Sequence, residues 1–154
     1  MNFDTVLNQK VSEIERPPLI PVGTYRAAVA RPYNQADINS ANWSGNSIEF
    51  QLQLLEPQPD VDADDLRAFG SLKSSQVRHS FMFPKDDETG NARAAFNLKR
   101  FLVDHLKIED AGDVSMKELL GQAQGRQCLV TVGLRPDKED KQVWYNSVKA
   151  TAPL

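Results

Sequence analysis

One cysteine, two histidines and no long apolar run exclude several classes of protein for this 154-residue chain. Cys128 has no partner for an internal disulfide, which rules out a disulfide scaffold and fits a reducing compartment, so the expected location is the cytoplasm. Within "CLVTV" it reads as a small buried hydrophobe. No apolar stretch approaches the ~20 residues of a membrane helix. The opening "MNFDTVLNQKVSEIERPP" has no basic region followed by an apolar block, so neither a membrane span nor a secretory signal is expected. His79 and His105 have no metal-ligand spacing with Cys128. No glycine-rich phosphate loop is present, and the carboxylates of 60–65 lack the glycine and terminal glutamate of a calcium loop. No catalytic signature remains. The chain is expected to be a non-enzymatic module that needs no metal or cofactor.

What is present is a chain long enough for one well-packed domain, with an ordinary apolar content of 40%. The formal charge of −3 is unevenly spread. Glu56, Asp60, Asp62, Asp64 and Asp65 form an acidic run that reads as a solvated loop. Residues 66–107 carry Arg67, Lys73, Arg78, Lys85, Arg93, Lys99, Arg100 and Lys107 against Asp86, Asp87, Glu88 and Asp104, eight cations to four carboxylates. An acidic segment therefore precedes a basic middle.

Hydrophobic periodicity predicts five strands. "GTYRAAVARPY" (23–33) follows a proline-rich stretch, so residues 1–20 are expected to be an arm and 21–154 the domain. "NSIEFQLQLLEP" (46–57) puts Ile48, Phe50, Leu52 and Leu54 on one face. "SQVRHSFMFP" (75–84) puts Val77, His79, Phe81 and Phe83 on one side, and Arg78, Ser80 and Met82 on the other. A helix is predicted from Asn91, as N-cap, to Leu106, and a second over 115–121 with the capping-box pair Ser115 and Glu118. "RQCLVTVGLRP" (126–136) and "QVWYNSVKAT" (142–151) close the chain. Five strands with helix between the third and fourth match the partly open Greek-key barrel of the OB-fold, and are too few for the usual β-sandwich.

"PVGTY" (21–25), "IEFQLQLLEP" (48–57), "FNLKRFL" (96–102), Gly125 before "VTV", and "YNSVK" (145–149) occur in that order over most of residues 21–149. In this the chain resembles the small phage-encoded single-stranded-DNA-binding proteins of the replication and recombination-accessory group. The resemblance implies an OB-fold and sequence-tolerant binding of displaced strands in the host-cell cytoplasm. It also implies replication or recombination proteins as partners, with assembly into a homo-oligomer left open. Many replicative members end in an acidic tail. Here the chain ends "KATAPL" and its acidic run is internal.

A single-strand binder needs aromatic faces for bases and cations for phosphates. The candidates are Tyr33, Trp43 in the polar connection 34–46, and Trp144 or Tyr145, which alternation sends to opposite faces. Arg26, Arg31, Lys73 and Arg78 are expected to line the outer face of the first three strands. The plainer readings are a loop anchor for Trp43 and solvated surface arginines for the rest. The competing function is a protein-interaction or regulatory barrel that engages a partner through the acidic segment.

Overall fold

The computed structural model describes residues 2–154 as a mainly β domain with one antiparallel, open sheet of six strands. The strands are β1 (Gly23–Val29), β2 (Asn34–Asn39), β3 (Ser44–Pro57), β4 (Gln76–Pro84), β5 (Gln127–Pro136) and β6 (Trp144–Ala152). Helices are α1 (Phe3–Asn8), α2 (Ala63–Phe69), α3 (Glu88–Lys99) and α4 (Met116–Leu120). A π-helical turn, Arg100–His105, extends α3. No helix of the described residues is long and apolar enough to cross a membrane.

The expected five strands become six because 34–46 is not a loop. β2 occupies its first half and pairs with β3, from Asn34 opposite Glu49 to Asn39 opposite Ser44. Only Ala36 and Ile38 in this strand are partly buried, so a single large apolar residue carried the alternation. β1 pairs farther along the same partner, from Tyr25 opposite Pro57 to Val29 opposite Leu52. β4 takes the other edge of β3, from Gly45 opposite Pro84 to Gln53 opposite Gln76. β1 and β2 therefore lie end to end on one edge of β3, interrupted at residues 30–33.

β5 pairs with β1 and with β6. Among the described residues β4 has β3 as its only partner strand and β6 has only β5, and these two unpaired edges face each other across a gap. The sheet is open there.

The inward positions are those the alternation predicts. Tyr25, Ala27 and Val29 meet Phe50, Leu52 and Leu54, then Val77 and Phe81, and Cys128, Val130 and Val132. Leu98, Phe101 and Leu102 close one end. Burial pushes the Cys128 thiol up to about 12 and, with Asp60 as the lesser cause, the Tyr25 hydroxyl to about 12. The Tyr25 hydroxyl donates to the Pro21 carbonyl at 2.6 Å.

Two other expectations change. The acidic run is not a free loop: Asp62 caps α2 by accepting from the Asp65 N–H at 2.9 Å, a bond typically worth ~1 kcal/mol. Asp60 accepts from the Thr24 N–H at 3.0 Å and from its hydroxyl at 2.8 Å, which holds its carboxyl below the usual range. Carboxylates in a first turn favour a helix, and Asp64 and Asp65 supply them. The long helix also starts earlier than Asn91, because Asp87 caps it through the Gly90 N–H at 2.9 Å. Asn91 instead donates to the Pro84 carbonyl at 2.6 Å and ties the helix start to β4. The short helix keeps its predicted cap, Ser115 accepting from the Glu118 N–H at 3.2 Å.

Residues 2–19 form an arm with no fully buried side chain. Ile20 ends it, with its N–H and carbonyl bonded to the Asn146 side chain at 2.8 and 2.9 Å.

Candidate nucleic-acid interface

The open seam between β4 and β6 is a cleft of about 580 Å³. Its floor is aromatic. Phe101, from the π-helical turn, sits 5.0 Å from His79, 5.6 Å from Phe81 and 5.1 Å from Phe50 between ring centroids. His105 joins the floor to β6 through Nδ1 and the Thr151 hydroxyl, 2.7 Å apart.

The rim is basic. Arg93 and Arg100 line it from the α3 side, and Lys149 lines it from β6. All three are exposed, and none takes part in a salt bridge among the described residues. No carboxylate among the described residues lines the cleft. Lys149 belongs to the cleft lining at β6, while its stem lies over bare Gly133 on β5: a Cβ there would lie 2.7 Å from the Lys149 Cγ and Cε. The sheet register also shifts at this point, leaving Lys149 as the extra residue between Val148 and Ala150.

Trp43 closes one end. It stands in the β2–β3 turn, where its N–H and carbonyl bond the Ser40 hydroxyl at 3.1 and 2.8 Å. Its ring is half-buried and lines the cleft with Met82. A Cβ on Gly45 would lie 2.7 Å from Trp43 Cη2, so that glycine makes room for the indole.

The other expected residues lie elsewhere. Arg26 donates to Glu56 at 3.3 Å and to Gln127 at 2.9 Å. Arg78 pairs with Glu49 at 3.6 Å. Both point to the outer sheet face, but their cross-strand partners Glu56 and Gln51 are five residues apart on β3, roughly 17 Å along the strand. Arg31 lies exposed between β1 and β2, and Lys73 exposed before β4. Arg26 and Arg78 therefore do not converge. Tyr33 is partly buried against the core. Trp144 and Tyr145 take opposite faces of β6, yet both remain exposed, at 44% and 38%, because the β5–β6 hairpin runs past the core.

Arg93, Arg100 and Lys149 were not among the sequence candidates. A signal existed for two of them, since Arg93, Asn97 and Arg100 fall at i, i+4 and i+7 on one helix face. His79 was read correctly as inward, and "RHSFMF" divides as the alternation predicts, with Phe81 buried and Arg78, Ser80 and Met82 exposed.

The floor makes a prediction about pH. Burial, with a smaller contribution from His105, holds His79 down at about 4. The unfolded chain takes up this proton near the ordinary 6.5, whereas the fold resists it until about 4. Stability from this group is therefore complete above pH ~6.5 and lost as pH falls towards 4, by about 3 kcal/mol. His105 is lowered in the same direction, first by burial. Urea midpoints between pH 7 and 4.5 should fall steeply for the native chain and less for His79→Leu. Parallel curves would show that His79 carries no such linkage.

No group of three or more His, Cys, Asp or Glu residues among the described ones is placed to hold a metal ion. In comparisons with known proteins, no family model matches this chain, and no curated protein matches it at a significant level.

Proposed function

We propose that this protein binds single-stranded DNA without sequence preference, threading the strand through the seam between β4 and β6. One observation carries the reading: three cations without carboxylate partners among the described residues, Arg93, Arg100 and Lys149, line the cleft from two sides over an aromatic floor, with Trp43 at the end. A seam flanked by cations suits a flexible polyanion, and the half-buried Trp43 ring at its end offers a face to bases of any kind.

The topology supports an OB-type barrel as the finer description of the fold. If β1 and β2 are counted as one interrupted strand, the order becomes five strands with α3 between the third and fourth. Trp43 then stands in the loop between the first and second strands, one of the two loops by which OB-folds hold oligonucleotides. As proposed, the protein is a non-enzymatic, phage-type replication or recombination accessory that works in the cytoplasm. A second reading, docking on another protein, is favoured by the arm, whose Phe3, Leu7 and Val11 are 74%, 65% and 85% exposed.

Titration of the intrinsic fluorescence with oligo-dT and with duplex tests the proposal. Single strands should bind better, and Trp43→Ala should weaken binding by ~1–3 kcal/mol with little change in melting temperature. Equal affinity for duplex, or binding indifferent to salt, would overturn it.

A further inference from the structure

Away from the seam, at the start of β6, two arginines crowd one tyrosine. The Arg16 guanidinium lies 4.4 Å from the centre of the Tyr145 ring, and that of Arg135 lies 5.6 Å from it. Neither arginine is in a salt bridge among the described residues. Two like charges on one ring, with no counter-ion beside them, suit an anion. The ring suits something flat, because a guanidinium stacks on an aromatic face as a base does.

The position of this cluster connects it to the cleft. Tyr145 and Lys149 are four residues apart on β6, about 13 Å along a strand. Between them, Ser147 carries a buried hydroxyl without a hydrogen-bond partner among the described residues, opposite the Gly133 that the Lys149 stem crosses. A strand leaving the cleft over Lys149 meets Tyr145 next. Arg16 is held nearby by its tether, since Pro17 and Pro18 restrict the chain and Ile20 is pinned to Asn146 only four residues later.

We propose that Arg16, Tyr145 and Arg135 form a second contact point for the same single strand, in which a base stacks on Tyr145 and Arg16 moves onto that base's outer face. This rests on the cleft reading above, which it extends by giving the N-terminal arm a part in binding. Arg135 and the displaced Arg16 then neutralise the flanking phosphates.

Because the two contact points are separated, oligonucleotide length distinguishes them. Anisotropy of labelled oligo-dT, about 2 and about 12 nucleotides long, spans the range from one contact point to both, since at ~3.4 Å or more per nucleotide a dinucleotide cannot bridge them. For the full chain, Arg16→Ala and Tyr145→Ala should each weaken the longer oligonucleotide about tenfold and change the shorter by less than about twofold. Tyr145→Phe should behave as the native chain, because the stacking face is kept. Lys149→Ala should weaken both lengths. Equal losses of Arg16→Ala at both lengths, or none at the longer one with an unchanged melting temperature, would overturn the second contact while leaving the cleft reading intact. If the native chain binds neither length, both readings fall together.

Discussion

Phe101→Ala should lower the unfolding free energy by about 3–5 kcal/mol, the largest loss expected of any single truncation near the cleft. The side chain is 1% exposed and touches rings from three directions, those of Phe50, Phe81 and His79. Removing it leaves a void beneath an unpaired seam. The strands above cannot collapse into it without breaking the pairing of β4 with β3. Met82→Ala is the matched control. Met82 lies in the same cleft but is 44% exposed, so its truncation should stay within about 0.5 kcal/mol. Urea unfolding of the two variants decides. A Phe101→Ala loss below about 1 kcal/mol would mean that the aromatic floor does not pack as described.

The second large effect is on the salt dependence of binding. For the combined Arg93→Ala, Arg100→Ala and Lys149→Ala variant, the log–log slope of affinity against salt should become shallower by about 2, at roughly 0.7 for each phosphate no longer neutralised. All three side chains are exposed, so melting should hardly move. The comparison is Arg26→Ala with Arg78→Ala, which removes two cations already paired with Glu56 and Glu49. That pair should leave the slope nearly unchanged. The reverse result would put the strand on the outer sheet face, where the sequence pattern first suggested it.

The difference between those two sites shows what a linear pattern can and cannot carry. The inward faces of β3 and β4 were legible because alternation alone decides them, and Ser115 was legible as a cap because its partner is three residues away. β2 was not, because its polar residues face water on an edge and only Ala36 and Ile38 turn inward. The acidic segment looked like a loop because its carboxylates are charged; the Asp62 cap is as local as that of Ser115, whereas the anchoring of Asp60 to Thr24 depends on where β1 runs. The same limit hid the cleft. Arg93 and Arg100 can be placed on one helix face from spacing, but Lys149 joins them in the cleft lining only because the fold brings β6 to the edge facing β4. Conversely, nothing in the sequence near Arg26 or Arg78 says that Glu56 and Glu49 will lie beside them.

The unpaired edges of β4 and β6 have a consequence for solubility. Each offers backbone donors and acceptors that a second chain can pair with, which is how sheet proteins begin to aggregate. Positive charge flanking such an edge keeps identical chains apart, because each copy brings the same charge to the encounter. Arg93, Arg100 and Lys149 are thus gatekeepers as well as rim. If a polyanion binds there as proposed, it removes that repulsion while physically filling the seam, so the edges would be guarded by charge when the cleft is empty and by the ligand when it is full.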